Sequence, residues 1–316
     1  MRDEINKAEE LLNLGEVVAI PTETVYGLAA NAFDENAVKL IYEIKQRPFY
    51  NPLIVHIKSI DYLEQIVKEI PAKALELAKH FWPGALTLVL LKKDIIPNIV
   101  TSNKETVAVR VPSHPITLQL LNRLDFPLAA PSANPFGYIS PTKAQHVEKQ
   151  LGNKIPYILD GGSCEIGIES TIIGFENDEP KLYRVGAISK EEVEKYIGKI
   201  KVKSNAETKP EAPGMLSKHY SPKTKLIVSH NITASINEHK NKNVGFLLFS
   251  ITSFLPKDKF IHLSKNQNLE EAAQNLYAAM HELDAMSFDF IIAETFPNNG
   301  LGISINDRLL RAQKTN

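Results

Sequence analysis

The sequence contains one cysteine, Cys164, among its 316 residues. A single cysteine excludes a disulfide framework within the chain and a cysteine-rich zinc site. Long apolar runs are also missing, because stretches such as 86–91 and 246–249 are far too short to span a bilayer. Residues 1–13 are charged and hold no apolar run fit for a signal peptide. We therefore expect a protein of the cytoplasm that makes no use of a membrane.

An excess of charge of either sign is absent as well. The chain has 36 basic and 37 acidic residues, a formal net charge of −1. This balance gives no support to a chain-wide nucleic-acid surface and leaves room only for a local basic cleft. Hydrophobic residues make up 43% of the chain, as in ordinary folded proteins. At 316 residues the chain exceeds what one core usually serves, so we expect two domains.

Helical and strand patterns interleave without strict alternation over residues 1–200, which predicts an α/β domain with a mixed sheet. Its predicted strands are 17–20, 53–57, 86–91, 106–111, 128–130, 157–159 and 171–175. Its predicted helices include 72–81, 116–123, 143–151 and 190–197, a helix capped by Asp34 and stopped by Pro48, and a first helix that ends at Gly15.

Residues 201–225 are rich in lysine and proline and have almost no apolar period, which predicts a linker. Residues 226–316 then form a smaller unit. Short apolar strands at 226–228, 244–249 and 288–293 alternate with helices at 269–283 and 305–311, which predicts a parallel, Rossmann-like sheet. No G-x-G-x-x-G motif accompanies it, so the sequence does not indicate dinucleotide binding there.

The first candidate site follows the strand at 17–20, in the segment PTETVYGL at 21–28. Small hydroxyls and a glycine at a strand end let a ligand approach the backbone closely. Seen alone, however, Thr22 or Thr24 is more simply the cap of a turn. The next segment places Lys45 and Arg47 at a helix end, where the dipole favours cations on the surface. Asn51 and the strand residue His56 follow, which together suit an anionic ligand.

Arg110 is the most informative single residue. It lies in a strand in which Val107, Val109 and Val111 share one face while Thr106 and Arg110 share the other. A buried arginine needs a partner, and that partner is equally a ligand carboxylate or an internal ion pair.

Further hydroxyls, amides and cations stand at strand ends and helix starts, where either phosphate binding or capping explains them. They are Ser132, Asn134, Ser140, Ser170, Arg184 and, within the linker, His219 and Tyr220. No Ser-His-Asp order, H-E-x-x-H pair or P-loop is present. A cleft of cations and hydroxyls without a nucleophile indicates an enzyme that works by positioning and charge stabilisation.

Taken in order, these segments resemble the YrdC-like family in its long form with an additional C-terminal domain. The match includes the K-x-R and S-x-N signature at 45–47 and 132–134, the stretches NPLIVH, FWPGALT, VAVRVP, GIEST and YRVGAI, and the linker and C-terminal stretches around 212–222 and 300–308. The resemblance covers nearly the whole chain. It implies a YrdC-like mixed twisted sheet over 1–200, a linker that acts as an active-site lid over 201–225, and a Rossmann-like domain over 226–316.

The resemblance implies a reaction in which threonine, bicarbonate or CO2, and ATP give threonylcarbamoyl-adenylate and pyrophosphate. The implied threonine-binding residues are Thr24, His56, Arg110, Ala130 and Ser170. The implied ATP-binding residues are Lys45, Arg47, Asn51, Thr106, Ser132, Asn134, Ser140, Arg184 and Tyr220. Mg2+ is the expected metal, and neither its ligands nor a general base can be named. A partner enzyme is expected to transfer the product to tRNA.

Two other functions fit parts of the sequence. An RNA-binding protein without catalysis would use the concave basic surface of YrdC-like domains, but the balanced charge and the few clustered aromatic residues weaken this reading. A carbamoyltransferase of the hydrogenase-maturation type contains a similar domain, but such chains are longer and carry cysteine-rich zinc motifs.

Overall fold

A computed structural model describes residues 2–202, 212, 215, 219–239, 241–249 and 259–313 of the chain. The helices are α1 (Arg2–Asn13), α2 (Glu35–Lys45), α3 (Leu63–Ile66), α4 (Ala72–Phe81), α5 (Asn98–Thr101), α6 (Pro115–Arg123), α7 (Ala144–Leu151), α8 (Lys190–Ile197), α9 (Ile232–Glu238), α10 (Leu269–Asp284) and α11 (Gly300–Gln313).

The strands fall into two sheets. The first contains β1 (Val18–Ile20), β2 (Gly27–Asn31), β3 (Ile54–His56), β4 (Leu86–Leu91), β5 (Thr106–Arg110), β6 (Leu128–Ala129), β7 (Tyr157–Ile158), β8 (Thr171–Glu176), β9 (Glu179–Arg184) and β10 (Lys201–Val202). The second contains β11 (Leu226–Ser229), β12 (Val244–Leu248), β13 (Phe260–His262) and β14 (Phe290–Glu294).

The large sheet is mixed, as the interleaved pattern predicts. Its order is β10-β9-β8-β4-β5-β3-β6-β2-β1-β7. The pairs β3–β5, β4–β8, β1–β7 and β9–β10 are parallel, and the other neighbouring pairs are antiparallel. The small sheet has the order β11-β14-β12-β13 and is parallel throughout, which confirms the second prediction.

Local signals fix several element ends. Gly15 adopts φ +79 just after α1, a conformation that glycine takes without a side-chain clash. The Asp34 side chain accepts the backbone N–H groups of Asn36 and Ala37 and caps α2, as expected. The helix ends at Lys45, before Pro48, because Gln46 turns left-handed (φ 54).

Some elements escaped the sequence patterns because tertiary pairing creates them. β2 (GLAAN) contains one glycine and two alanines, and β9 starts with Glu179, Pro180 and Lys181, which resemble a turn. Both become strands by pairing with neighbours already in the sheet. β10 lies inside the predicted linker and pairs with β9, so the large sheet extends to Val202. α9 and β13 were also missed, and much of 203–218 lies outside the described residues.

Separate apolar clusters cover the sheets. On the large sheet, the biggest cluster packs α2 and α4 against the strands, and another packs α1 and α6 against β1 and β6. The core of the small sheet is not self-contained: Val25, Ile139 and Ile168 from the first unit pack into it beside Tyr277. The two units therefore share apolar surface next to the strand ends that carry the candidate site. None of the helices in the described ranges combines the length and the apolar character that crossing a membrane requires.

Candidate active site

The candidate site lies against one face of β3 and β5 in the large sheet. β3 and β5 run parallel with His56 opposite Arg110, so their last residues reach the same edge. β6 runs antiparallel beside β3, so Leu128 lies opposite His56, and Ala130, whose N–H donates to the carbonyl of Ile54 (2.9 Å), and Ser132 follow it beside the start of β3. The turn after β1 and the start of β8 complete the rim. The cavity therefore lies against one face of β3 and β5, and residues from both ends of these short strands line it.

One cavity brings together nine of the fourteen residues that the resemblance indicated. They are Thr24, Arg47, His56, Arg110, Ala130, Ser132, Ser170, Arg184 and Tyr220. The cavity is also lined by residues that the resemblance assigned to neither substrate: Thr22, Val25, Gly27, Ile54, Pro131, Glu169 and His219. Three guanidinium groups and several hydroxyls thus face one space, a lining suited to anionic groups.

Arg110 is held by protein groups on three sides. Its Nε donates to the carbonyl of Gly84 (3.0 Å), its Nη1 donates to the hydroxyl of Thr24 (2.9 Å), and its Nη2 donates to the carboxylate of Glu23. Of the two alternatives for this residue, the internal ion pair is therefore present. The ion pair still leaves Arg110 accessible to a ligand carboxylate, because Arg110 also lines the cavity.

His56 is 3% exposed, with its Nδ1 unpaired among the described residues. Burial, and after it the nearby positive charge of Arg110, lower the pKa of His56 to about 3. The imidazole is therefore neutral at physiological pH. It offers hydrogen bonds to a ligand and no charge.

Lys45 joins the end of α2 to the turn after β6. Its Nζ donates to the carbonyl of Ser132 (2.6 Å) and to that of Asn134. Burial, followed by the charge of Arg47, holds the pKa of Lys45 well below its usual value. Lys45 and Asn134 are 1% exposed and lie behind the lining residue Ser132. They therefore shape the turn and reach the cavity through it.

Arg47 folds its own loop inward. Its Nε donates to the carbonyl of Asn51 (3.0 Å) and its Nη2 to that of Pro52 (2.7 Å). Burial lowers the pKa of Arg47 to about 10, which still leaves it charged at neutral pH. The side-chain amide of Asn51 is fully buried, and neither its oxygen nor its nitrogen has a partner in the described part of the chain. Such orphaned polar atoms are costly and are expected beside a ligand.

Glu169 is the point where the two units meet at the site. Its carboxylate accepts hydrogen bonds from the hydroxyls of Ser140 (2.7 Å) and Tyr277 (2.9 and 3.0 Å), and from Nε of Arg308 (3.1 Å). Burial would raise the pKa of Glu169, but the charges of Arg308 and Arg184 and the bond from Ser140 outweigh it and lower the pKa. Glu169 is therefore a buried, ionised carboxylate. Tyr277 and Arg308 belong to α10 and α11 of the second unit.

Arg184 and Ser170 form a second fixed group beside Glu169. The guanidinium of Arg184 donates to the carbonyl of Ser170 through Nε (3.0 Å) and Nη2 (2.9 Å), and Nη2 also lies 3.1 Å from the Ser170 hydroxyl. That hydroxyl shares a further hydrogen bond of 2.7 Å with Thr87 on β4. The orientation of Ser170 is thus set before any ligand arrives.

Tyr220 and His219, at the end of the predicted linker, occupy much of the space between these groups. Tyr220 is 1% exposed, adopts φ 66, and lies 5.6 Å below the guanidinium of Arg308. The backbone N–H of Ser221 anchors the segment on the carbonyl of Gly137 (2.8 Å). The cavity that remains has a volume of about 50 Å³. A cavity of this volume has room for only a few water molecules, so an amino acid and a nucleotide need these side chains to move.

Thr106 does not lie in this cavity. It lines a different hollow with Glu69, Leu91 and Phe175, at the other end of β5. It shares a strand face with Arg110, but four residues of strand separate the two by roughly 13 Å. The sequence argument for a shared site considered the face and not the distance along it, so contact of Thr106 with ATP stays a prediction. Asn51, in contrast, lies buried beside Arg47, and Ser140 lies beside Glu169.

Sequence reasoning missed the structural importance of Glu23, Glu169, Tyr277 and Arg308. Glu23 and Glu169 each precede a residue that was singled out, Thr24 and Ser170, and a buried carboxylate could have been expected beside buried arginines. Nothing in the local sequence of α10 or α11 indicates that Tyr277 and Arg308 contact Glu169, more than 100 positions earlier in the chain.

A magnesium site made by the protein alone does not fit the described residues. Within the described ranges, no three His, Cys, Asp or Glu side chains are grouped to hold a metal ion. The two carboxylates next to the cavity are committed, Glu23 to Arg110 and Glu169 to Arg308. We therefore derive no step through a metal ion.

Comparisons with known proteins place both units. The family model described as "Telomere recombination" matches residues 10–186, and the model for the C-terminal domain of threonylcarbamoyl-AMP synthase matches residues 188–313. The boundary between the two models lies before the predicted linker.

Full-length relatives and a solved structure agree with these models. The chain is 44% identical to the threonylcarbamoyl-AMP synthase of Bacillus subtilis (98% of this chain, 92% of the relative) and 42% identical to that of Pyrococcus abyssi (98% and 93%). The crystal structure of P. abyssi Sua5 complexed with L-threonine superposes with a TM-score of 0.90 at 42% identity, covering 98% of this chain and 94% of that one. The chain belongs to the threonylcarbamoyl-AMP synthase family.

Proposed function

We propose that this chain forms threonylcarbamoyl-AMP and pyrophosphate from L-threonine, bicarbonate or CO2, and ATP, for the modification of tRNA. The observation that carries the proposal is one cavity with Arg110 on β5 and two further guanidinium groups, those of Arg47 and Arg184, among its lining residues. A carboxylate and a polyphosphate are both anions that guanidinium groups bind well. Separate arginines allow the two to be held side by side.

For threonine, we assign the carboxylate to Arg110 and the rest of the amino acid to Thr24, His56, Ala130 and Ser170. Arg110 and Ser170 are both held by several protein hydrogen bonds, which supports a preformed seat. A neutral His56 suits contact with an uncharged hydroxyl or amine.

For ATP, we assign the phosphates to Arg47 and Arg184, with Lys45, Ser132, Asn134 and Ser140 shaping the turn that receives them. Asn51, with its orphaned amide, and Tyr220 are placed with the nucleotide. Thr106 lines another hollow at the far end of β5, and its contact with ATP stays a separate prediction.

The reaction that we propose has two steps. The amine of threonine adds to the carbon of CO2, forming a C–N bond and, after loss of a proton to solvent, a carbamate. A carbamate oxygen then attacks the α-phosphorus of ATP, and the bond to the bridging oxygen breaks so that pyrophosphate leaves with its electron pair. The guanidinium groups stabilise the charge that develops on the phosphoryl oxygens.

The described residues do not supply an obvious general base. The carboxylates of Glu23 and Glu169 are held by arginines, and a histidine with a pKa of about 3 is a weak acceptor for a proton from an ammonium group. We therefore propose that threonine reacts through its free amine, and that the protein contributes mainly orientation and charge.

The linker end acts as a lid in this proposal. His219 and Tyr220 leave about 50 Å³ free, so they move out to admit the substrates and return to exclude water from the labile product. We further propose that a partner enzyme takes the product and attaches it to the adenosine beside the tRNA anticodon, with any RNA contact limited to a local surface.

The decisive experiment is mass detection of threonylcarbamoyl-AMP after incubation with threonine, bicarbonate and ATP. We expect the product, and equimolar pyrophosphate, only when all three are present. Product formation from carbamoyl phosphate without bicarbonate would instead indicate a carbamoyltransferase. Binding of duplex RNA with no turnover under any of these conditions would contradict the proposal and favour an RNA-binding protein.

A further inference from the structure

Glu23 lies behind Arg110 as seen from the cavity. The two side chains form an ion pair in which Arg110 is 4% and Glu23 is 3% exposed. The described residues that line the cavity include Arg110 and Thr24 but not Glu23. The carboxylate therefore acts on the contents of the cavity through the guanidinium and not by direct contact.

The hydrogen bonds of Arg110 leave a defined set of donors free. A guanidinium has one N–H on Nε and two on each terminal nitrogen. Gly84 accepts from Nε, Thr24 from Nη1 and Glu23 from Nη2. One N–H then remains on each terminal nitrogen, which is the number that a carboxylate accepts in a bidentate pair.

Two effects of Glu23 on carboxylate binding oppose each other. Its negative charge weakens the attraction between Arg110 and another anion. Its hydrogen bond, however, fixes a guanidinium that would otherwise turn toward other acceptors, since a buried arginine without a counter-charge is unfavourable. Three fixed partners on a nearly fully buried side chain indicate that orientation is the stronger effect.

We infer that Glu23 is a positioning residue for the amino-acid carboxylate: it holds the Arg110 guanidinium through Nη2, so that the remaining N–H groups form a fixed seat. The inference rests on the proposed function, because the carboxylate in question is that of threonine. Glu23 itself contacts no substrate.

The test compares Glu23→Ala with Glu23→Gln, which keeps an acceptor oxygen for Nη2. Pyrophosphate release is measured while threonine is varied at saturating ATP, and while ATP is varied at saturating threonine. For Glu23→Ala we expect the KM for threonine to rise about 10-fold or more, with kcat and the KM for ATP changed by less than about twofold. Glu23→Gln should recover most of this loss.

Glu9→Ala is the matched control, since it removes a carboxylate from another ion pair, with Arg123 at 3.2 Å, far from the cavity. It should leave all three kinetic parameters unchanged. If Glu23→Ala does not fold, Glu23→Asp replaces it, because its carboxylate is too short by one methylene to hold the same contact.

Three results would overturn the inference. One is an unchanged KM for threonine with only a lower Tm, which would make the ion pair purely structural. Another is tighter threonine binding in Glu23→Ala, which would show that charge outweighs orientation. The third is an equal loss in Glu23→Gln and Glu23→Ala. Calorimetric titration with threonine alone gives the same comparison without turnover, so failure of the proposed reaction is distinguished from failure of this inference.

Discussion

The guanidinium of Arg308, on the last helix, donates through Nε to the carboxylate of Glu169 at 3.1 Å, and the Arg308 side chain is completely buried. Nη1 of Arg308 also donates to the carbonyl of Val185 (2.6 Å). The second unit therefore contributes a counter-charge to a carboxylate that lines the candidate active site. This contact links the unit with the small parallel sheet to the unit with the large mixed sheet at the candidate active site.

The first prediction concerns this pair. Replacing Arg308 by alanine removes the arginine that is hydrogen-bonded to the buried carboxylate of Glu169, and breaking a buried pair typically costs about 3–5 kcal/mol of unfolding free energy. We expect Arg308→Ala to lower the free energy of unfolding by this amount and to reduce activity, as measured by urea denaturation and pyrophosphate release. The control is Arg123→Ala, whose pair with Glu9 is about a quarter exposed and should contribute less than about 1 kcal/mol. Equal effects of the two variants would contradict the prediction.

The second prediction separates the two halves of the cavity. Arg110→Ala should weaken threonine binding by about 10- to 150-fold, the loss expected for charge-assisted hydrogen bonds. ATP binding should change much less, because Arg47 and Arg184 remain. Calorimetric titration with each ligand measures both quantities. Loss of ATP binding with unchanged threonine affinity would show that the assignment of Arg110 is wrong.

The third prediction follows from His56. Its pKa is about 3 in the folded protein and about 6.5 when unfolded, so the unfolded chain binds the extra proton between these values. The contribution of the buried neutral imidazole to the free energy of unfolding is fully present above pH 6.5, and it decreases as the pH falls toward 3. We expect His56→Asn to make unfolding less dependent on pH in this window, by up to about 1.4 kcal/mol per pH unit.

Urea denaturation at several pH values between 7 and 4, for the wild type and His56→Asn, measures this difference. Parallel pH curves for the two proteins would mean that His56 is not the buried neutral group described here. A wild-type activity profile with a step near 6.5 that disappears in His56→Asn would lead to the same conclusion.

The fourth prediction concerns Gly186, which follows β9 and packs against the backbone of Ser170. A Cβ at this position would lie 2.4 Å from the carbonyl carbon of Ser170 and from the backbone nitrogen of Thr171. Because these are backbone atoms, the strand start that carries Ser170 must shift. We expect Gly186→Ala to cost about 1–3 kcal/mol of stability and to raise the KM for threonine. Lys195→Ala, on the exposed side of α8, should change neither; an unperturbed Gly186→Ala enzyme would contradict this packing.

Much of the fold could be predicted from local sequence patterns. Strands such as β4 and β5 are short segments rich in apolar residues, some of them β-branched. The alternation of side chains along β5 placed Arg110 on the opposite face from the valines around it. Helices with a capping residue, such as α2 after Asp34, were also predicted with the right start. Elements without a local signal, such as β2 and β9, could not be found this way, because their strand conformation depends on pairing with residues that are distant in sequence.

Part of the candidate site could also be predicted from the sequence. Polar residues that follow a strand, such as Thr24 and Ser132, were identified because strand ends are where a sheet exposes backbone to ligands. That Thr106 lines a different hollow from Arg110 could not be predicted, because the face of a strand is a local property while the position of a cavity along it is not. The deep burial of Tyr220 between the two units likewise has no local signal.

The sequence by itself determined the α/β class, the mixed and the parallel sheet, and the set of cations and hydroxyls from which a site is built, because these follow from periodicity and from residue chemistry over a few neighbouring positions. Only the tertiary structure decided which charges meet. Glu23 with Arg110 and Glu169 with Arg308 are pairs of residues 87 and 139 positions apart. Their partners are chosen by how the strands and helices pack, and burial then makes each choice energetically decisive, since a buried charge without its partner is strongly unfavourable.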